Sequence, residues 1–276
     1  MKMKKAMYKQ PLNPHLMDDL LIDCQSCSGI CCAALYFSKI DGFPQDKKAG
    51  VPCLHLCQDG LCAIHSELTK RRLTGCIQYD CLGAGQIVTQ SLYPKIMWQD
   101  HPEQKEQLFS DFVKVFQLQQ MRWYLLQCTC LNGTEDLLSD LTQLLTKIES
   151  AFINQECLEN CSLSNLHQRT NIILKEVSRR FSHQWSERPK KPMFSKKLDH
   201  QQFIETDFSM SLLIGSDFKK SQLTRVNFLG ADLRQVDFSG ADLYECLFLT
   251  QGQINAAIGD QKTKLPPYLK RPDSWK

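Results

Sequence analysis

The chain has 276 residues, enough for about two or three structural units, and its 42% hydrophobic and 23% charged residues are typical of a globular protein. Its net charge of +3 is too small to indicate a nucleic-acid or anionic-membrane partner by itself. No apolar run approaches the roughly 20 residues that span a bilayer, and Pro11 and Pro14 follow the basic segment Met1–Gln10 where a signal peptide would have an apolar core. We therefore expect no signal peptide, no membrane association and a cytoplasmic location.

Nine of the 14 cysteines are crowded into the segment from Cys24 to Cys81. In a reducing compartment this density indicates metal binding more than disulfides. Because neighbouring side chains diverge, the adjacent Cys31 and Cys32 indicate two sites, one cluster, or one ligand beside one core cysteine. The predicted ligands are Cys24, Cys27, Cys31, Cys32, Cys53, Cys57, Cys62, Cys76 and Cys81, with His55 and His65 as candidate additional ligands.

The composition of residues 20–85 supports a metal independently. Few large apolar side chains and many turn formers occur there, so hydrophobic burial alone would give a thin core. Structural zinc binding is worth ~10–16 kcal/mol, which is enough to fold such a segment. Thiolates suit both zinc and iron–sulfur clusters, although the close cysteine spacing matches neither common ferredoxin run. The expected cofactor is therefore Zn²⁺, with iron or an iron–sulfur cluster as the alternative.

The same cysteines carry a family resemblance over about residues 20–85. The order C-x2-C-x3-C-C, then Pro52-Cys53, Cys62-Ala-Ile and a further cysteine, resembles the YkgJ-like cysteine-cluster family, described as zinc- or iron-chelating proteins. His65 stands where that family has an aromatic residue, its usual Arg-Pro before the later cysteine is absent, and Cys57 and Cys81 are additional. The resemblance implies metal capacity rather than a particular reaction. The segment Tyr79–Gln86 also resembles sequence of pentapeptide proteins with this kind of N-terminus.

The middle of the chain, about residues 103–186, is predicted to be helical. Apolar residues recur there at spacings of three and four, which is the period of an amphipathic helix. Gly133-Thr134 offers a helix start, and Pro189–Pro192 is predicted to be a linker. The three apolar stripes are Leu108, Phe112, Val115, Phe116 and 118–126; Leu137, Leu138, Leu141, Leu144, Leu145 and Ile148; and Leu166, Ile173, Val177 and Phe181.

A five-residue repeat follows the helical middle. From Phe203 to Phe248 a Phe or Leu recurs at every fifth position, usually preceded by Asp or Asn and, two residues before, by a small or short residue. Period five fits neither a helix nor a strand. The pattern resembles the pentapeptide-repeat family, whose A(D/N)LXX motif is matched at 231–233 and 241–243. The predicted inward residues are Phe208, Phe218, Phe228, Phe238, Phe248, Leu213, Leu223, Leu233 and Leu243.

The resemblance implies a right-handed quadrilateral β-helix with four pentapeptides per turn. Residues twenty apart should then stack, so that Phe208, Phe228 and Phe248 form one ladder and Phe218 and Phe238 another. The Asp and Asn side chains should hydrogen-bond the backbone of the turns. A C-terminal cap is expected after the repeats, with a helical turn at Gln253–Gly259.

The predicted fold class is multidomain α+β. It has a cysteine-rich metal-binding domain at 1–90, a helical segment at 91–188, and at 189–276 a pentapeptide β-helix (repeats about 201–250) with its cap. The five remaining cysteines are expected to be structural, with one shared ion as the alternative for four of them: Cys128, Cys130, Cys157 and Cys161. Cys246 occupies a small inward position of the repeat.

Three functions remain open at this point. The favoured one is a non-catalytic scaffold that is stabilised by metal and binds a protein partner. The alternative is a metalloenzyme or iron–sulfur redox protein, although no catalytic triad, phosphate loop or paired carboxylates single out a catalytic residue. A DNA-mimicking topoisomerase partner, known among pentapeptide proteins, is disfavoured because basic residues interrupt the outer positions: Lys219, Lys220, Arg225 and Arg234.

Overall fold

The structure is a computed structural model and describes residues 7–9, 13, 15–94, 96–181 and 193–275. The linker predicted at Pro189–Pro192 lies outside the described residues. The chain divides into two units. We call them the cysteine unit, Met17–Trp123 with Thr142–Thr170, and the repeat unit, Met1–Leu16 with Tyr124–Leu141 and Asn171–Lys276.

The described residues form many helices and few regular strands. The predicted helical middle is present, and a π-helical turn at Val88–Leu92 extends α3. None of the described helices is long and apolar enough to cross a membrane. The helices are α1 Ile30–Ala34, α2 Thr74–Gln78, α3 Ala84–Ile87, α4 Lys105–Thr129, α5 Leu138–Ser150, α6 Gln155–Glu159, α7 Leu163–Phe181 and α8 Gln251–Ala256, and the strands are β1 Gln202–Ile204 and β2 Gln222–Thr224.

Helix α4 supplies the cysteine unit with much of its apolar core. Its residues Leu108, Phe112 and Val115 are fully buried. Gln119 also lies inside and donates a hydrogen bond from Nε2 to the carbonyl of Leu82, 2.7 Å away. The thin core expected for residues 20–85 is therefore completed by a helix from outside that segment.

The start of α5 differs from the simplest expectation for Thr134. Its hydroxyl does not cap the helix but donates to the carbonyls of Cys128 and Leu131, both 2.9 Å away. A short 3-10 turn at Glu135–Leu137 precedes α5 instead. Thr134 is thus buried and closes the end of α4 rather than opening α5.

In the repeat unit the backbone pairs with itself at an offset of twenty residues. Parallel bridges join Asp207 to Asn227, Leu212 to Asp232, and β1 to β2 with Phe203 opposite Leu223. The same offset recurs from Lys197 to Leu247, so each stretch of twenty residues is bridged to the next; we call this paired region the coil. The strands are short because each side contributes only a few residues before the chain turns.

The pairing extends beyond the predicted repeats at both ends. It begins at Met193, whose N–H donates to the carbonyl of Leu212 at 2.9 Å, ten residues before Phe203. At the other end Asp237 pairs with Ile258, and Asp242 pairs with Lys264. Offsets of 21 and 22 residues there accommodate α8, which replaces one side of the last turn.

The interior of the coil is filled as the five-residue period requires. Rings of Phe208 and Phe228 stack with centroids 5.8 Å apart, and those of Phe218 and Phe238 are 5.6 Å apart. All nine predicted inward residues are buried: Phe208, Phe218, Phe228, Phe238, Phe248, Leu213, Leu223, Leu233 and Leu243. Cys246 is fully buried among them.

Each corner of the coil needs a residue with positive φ. The turn from Phe208 to Ser211 is closed by a 3.1 Å backbone hydrogen bond, and its third residue, Met210, has φ +57°. This is the backbone pattern of a type II turn. The corner residues occur at every fifth position and only three are glycines: Ser195, His200, Glu205, Met210, Gly215, Lys220, Arg225, Gly230, Gln235 and Gly240. Because seven of the ten are not glycines, the sequence carried no signal for them.

The Asp and Asn residues before the inward positions bind the turn backbone, as predicted. The Oδ1 atom of Asp207 accepts from the N–H of Ser209 at 3.0 Å. Asn227 accepts from Leu229 at 3.0 Å in the same way. This local hydrogen bond explains the Asp and Asn of the repeat without any outward function.

The C-terminal cap is anchored by specific contacts within the repeat unit. Thr250 and Gln253 form a capping box at the start of α8. The indole Nε1 of Trp275 donates to the carbonyl of Ala257 at 3.1 Å, and its ring lies so close to Gly259 that a Cβ there would be only 2.4 Å away. The helical turn predicted at Gln253–Gly259 is α8, which begins two residues earlier, at Gln251, and ends three residues earlier, at Ala256.

Candidate metal centre

Cys24 to Cys32 lie on a short 3-10 turn followed by α1. Asp23 caps the turn by accepting the N–H of Gln25 at 3.0 Å. Gly29 then takes φ +64°, and α1 begins directly after it, with Cys31 and Cys32 in its first turn. A side chain at Gly29 would meet Leu56 at 2.3 Å, so the glycine lets this turn pack against the next cysteine segment.

Two small hairpin-like segments bring the middle cysteines to α1. The N–H of Cys53 donates to the carbonyl of Cys32 at 3.0 Å, which fixes these two backbones side by side. Leu56 pairs with Cys62 across a tight turn, in which the Asp59 carboxylate accepts the N–H of Leu61 at 2.9 Å. Sequence-distant cysteines are therefore joined by backbone hydrogen bonds.

The Tyr79–Gln86 segment clamps the first cysteine loop. Gly85 faces the sulfur of Cys27 so closely that a Cβ at this position would lie 2.6 Å from Sγ. The side-chain oxygen of Gln86 accepts the N–H of Asp23 at 3.0 Å. The glycine and the glutamine of this segment therefore position the loop that carries Cys24 and Cys27.

These elements enclose one cavity of about 90 Å³. Eight of the nine predicted cysteine ligands line it, together with both histidines, His55 and His65. The cysteines are Cys24, Cys27, Cys31, Cys32, Cys53, Cys62, Cys76 and Cys81. The remaining predicted ligand, Cys57, is exposed and does not line the cavity.

Cys32 interacts with most of the other cavity thiols. Its sulfur is 4.0 Å from that of Cys31. Burial is the largest cause that raises the pKa of five other thiols, and the charge of Cys32 raises it further: Cys24, Cys27, Cys53, Cys62 and Cys76. Within the described residues, no three Cys, His, Asp or Glu side chains are already arranged to hold an ion. The cavity thus gathers the donors without presenting a finished coordination shell.

Burial keeps most of these thiols protonated. It raises the pKa of Cys24 and of Cys76 to about 12, and that of Cys81 to about 11. Cys32 is different, because the contact with Cys31 and the nearby ammonium of Lys47 lower its pKa. A bound metal would have to displace protons from the buried thiols, since the thiolate is the ligand.

Two polar side chains that interact with the cysteines, Lys47 and Tyr79, were not predicted from the sequence. Lys47 is only 6% exposed, donates from Nζ to the carbonyl of Ala33 at 3.2 Å and also to that of Leu35, and lies over the ring of Phe37. Tyr79 lines the cavity, and its hydroxyl is buried. Neither residue type is a usual zinc ligand, so spacing rules for cysteine and histidine passed over both.

The donor set fits a thiophilic metal. Eight soft sulfur atoms suit zinc or an iron–sulfur cluster and do not suit magnesium or calcium. Tyr79 also lines this cavity, and among the described residues its buried hydroxyl has no hydrogen-bond partner. A buried donor without a partner is expected if its acceptor is a negatively charged metal centre that forms only when metal binds.

The other five cysteines are not among the residues that line this cavity. Cys128 and Cys246 are fully buried, and the thiol of Cys246 donates to the carbonyl of Leu223 at 3.3 Å. Cys157 and Cys161 line a separate surface groove with Glu156. Among the described residues, they are not part of any group of three or more Cys, His, Asp or Glu side chains that could hold an ion.

Cys27 lines both the cavity and a groove that is open to solvent. Gln25, Asp59 and Gln90 line this groove with it. The groove also carries Ser28, whose buried hydroxyl lacks a partner among the described residues. A ligand or a metal could therefore reach the cavity past Cys27.

Comparison with known proteins agrees with the repeat architecture. The pentapeptide-repeat family matches residues 202–240 and 211–248, in eight copies. The uncharacterized protein YybG of Bacillus subtilis (strain 168) is 39% identical over 274 residues, which cover 96% of this chain and 98% of that protein. No solved structure matches the chain. Because this similarity runs through the cysteine unit as well as the repeats, the chain belongs to the same family as YybG.

Proposed function

We propose that this protein is a metal-binding scaffold, in which zinc or iron folds the cysteine unit and the repeat coil presents a surface to a protein partner. The observation that carries the proposal is the convergence of eight thiols from separate segments of the chain on one cavity. Free cysteines are commonly buried singly as small apolar residues, so chance burial does not account for eight around one space.

The cavity cysteines would hold the metal. Cys24, Cys27, Cys31 and Cys32 come from the first loop and α1, and the others come from the hairpins, from α2 and from the segment before α3: Cys53, Cys62, Cys76 and Cys81. A bound metal would neutralise thiolate charge and cross-link these short elements. The cross-links explain how a segment of short helices and turns keeps one conformation.

The buried position of Lys47 supports a negatively charged centre. An ammonium group is rarely buried without a compensating charge. Burial lowers the pKa of Lys47, whereas the charges of Cys32, Cys53 and Cys31 raise it. Neutral thiols would leave this ammonium poorly compensated, while metal-bound thiolates supply the opposite charge.

We also infer that the coil is the right-handed quadrilateral β-helix of pentapeptide proteins. The twenty-residue pairing offset and a left-handed corner residue at every fifth position support four sides per turn. Its outer face at β1 and β2 carries the exposed Ile204 and Tyr244, which suit contact with a protein. We also propose a cysteine-rich domain at 1–90, a helical segment at 91–188, a repeat domain at 189–276, and a cytoplasmic location.

The ion pairs on the coil argue against DNA mimicry. Lys219 contacts the carboxylates of both Asp217 and Asp237, at 3.5 and 3.1 Å. Two further pairs, Arg234 with Asp232 and Lys264 with Asp242, have N–O distances of 2.8 Å. A row of compensated carboxylates lacks the net negative field that a DNA mimic needs.

A metalloenzyme or iron–sulfur redox protein is the second candidate. The observation in its favour is Cys27, which lines both the cavity and an open groove and could give a substrate access to the centre. Asp80, whose pKa burial raises to about 6, is an adjacent carboxyl. Its Oδ1 accepts the N–H of Leu82 at 2.8 Å, so a structural role already accounts for it.

Metal analysis with an absorption spectrum on anaerobically purified protein tests the proposal. We expect stoichiometric zinc or iron in the parent chain. Cys32→Ser should lose it, because Cys32 lines the cavity and its sulfur lies 4.0 Å from that of Cys31. Cys57→Ser is the matched control that should keep it, because Cys57 lies outside the cavity. A parent chain without metal contradicts the proposal, and an iron–sulfur spectrum favours the redox candidate.

A further inference from the structure

Tyr79 has a buried hydroxyl group without a hydrogen-bond partner among the described residues. The residue follows α2 and lines the cysteine cavity. Burying a hydroxyl without a partner is costly, and phenylalanine would fill the same space without that cost. The hydroxyl therefore indicates a hydrogen-bond acceptor that forms only when the cavity is occupied.

The groups around Tyr79 identify the kind of partner. Eight cysteine thiols, Cys31 and Cys81 among them, line the same cavity as Tyr79. The Asp80 carboxylate is engaged by the N–H of Leu82. A neutral thiol is a weak acceptor, whereas a charged acceptor makes a much stronger hydrogen bond.

We propose that Tyr79 is a positioning residue that donates a hydrogen bond to a thiolate sulfur of the metal centre, at Cys31 or Cys81. This inference rests on the proposed metal centre. Tyr79 would hold the sulfur in place and stabilise its charge, in the way that outer groups orient and tune ligands of other metal sites. It is not itself a ligand in this proposal, because eight sulfurs already line the cavity.

The competing explanation is that Tyr79 only fills space. Its ring lies 6.4 Å from that of Phe116 on α4, which is an ordinary core contact. Tyr79→Phe would keep that contact and remove only the oxygen. The two explanations therefore differ in what the hydroxyl contributes after metal is bound, and not in how the ring packs.

A matched control exists in the same unit. Tyr93 is buried and its hydroxyl donates to Oδ2 of Asp111 at 2.7 Å, so its partner is present without metal. Tyr93→Phe should lower the melting temperature of the metal-free protein and leave metal affinity unchanged. Tyr79→Phe should lower metal affinity and should not lower the melting temperature of the metal-free protein, because it loses no hydrogen bond in that state.

The experiment is an anaerobic titration of each metal-free full-length variant with Co²⁺, followed by absorption. For Tyr79→Phe we expect roughly tenfold weaker cobalt binding, and a thiolate-to-metal charge-transfer band at longer wavelength because the sulfur electrons are less stabilised. Its metal-free melting temperature should equal or exceed that of the parent. Unchanged affinity with an unchanged band overturns the inference, whereas a parent chain that binds no cobalt refutes the metal centre itself.

Discussion

Replacing Phe228 by alanine tests the register of the coil and its energetics. Phe228 is fully buried, stacks on Phe208 with centroids 5.8 Å apart, and meets Phe238 edge-on at 6.1 Å. Its N–H and C=O are both held by backbone partners at 3.0 Å, so the chain has little freedom to close over a missing ring. We therefore expect Phe228→Ala to cost ~3–5 kcal/mol, the range for an aromatic ring removed from a packed core.

The assay is thermal unfolding followed by circular dichroism. For a chain of this size each kcal/mol lowers the melting temperature by ~2–4 °C, so the variant should melt about 6–20 °C below the parent. Phe194→Ala is the matched control, because Phe194 is 50% exposed and its loss should change stability by ~0.5 kcal/mol or less. If Phe228→Ala melts within a degree or two of the parent, the stacked phenylalanine ladder does not support the coil.

Four further outcomes are expected. Chelation should expose residues 20–90 to limited proteolysis, read by mass spectrometry, while the β signal of the coil persists; identical cleavage maps would contradict a structural metal. Lys47→Met should weaken zinc binding roughly tenfold in a competition assay without destabilising the metal-free protein, because it removes a buried charge. If the variant instead lowers the stability of the metal-free and the zinc-bound protein equally, Lys47 contributes only its hydrogen bonds to the end of α1. Gly85→Ala should lower zinc affinity in the same assay, since its Cβ would lie 2.6 Å from the sulfur of Cys27. Zinc affinity should rise with pH, because burial raises the pKa of thiols such as Cys24 to about 12 and each ligand releases its proton on binding; a flat profile would exclude thiolate ligation.

The repeat could be predicted in detail because its information is local. One inward Phe or Leu at every fifth position specifies which side chains enter the coil, and the burial of Phe208 to Phe248 follows that register. The start at Met193 was missed because Gln201 interrupts the column of small residues and polar side chains surround Leu198. Backbone pairing with residues twenty positions later holds this first turn even where its own sequence is weak.

For the candidate site, too, the sequence predicted what depends on residues close together in the chain and not what depends on distant segments. Cysteine spacing alone singled out the thiols, because thiolate ligation needs a recognisable residue type at short intervals. Spacing could not show that Cys57 lies outside the cavity, or that Cys76 and Cys81 come back to Cys32. Those outcomes depend on hydrogen bonds and close contacts between distant segments.

The sequence by itself determined the five-residue coil, the helical middle and the cysteine-rich character of the N-terminal part, because periodicity and composition are properties of neighbours along the chain. Only the tertiary structure decided which thiols share one cavity, that Tyr79 lines it, and that the charge of Lys47 acts on Cys32. A lysine and a tyrosine have no spacing rule that marks them. Their roles arise from burial and from the charges placed beside them when distant segments pack together.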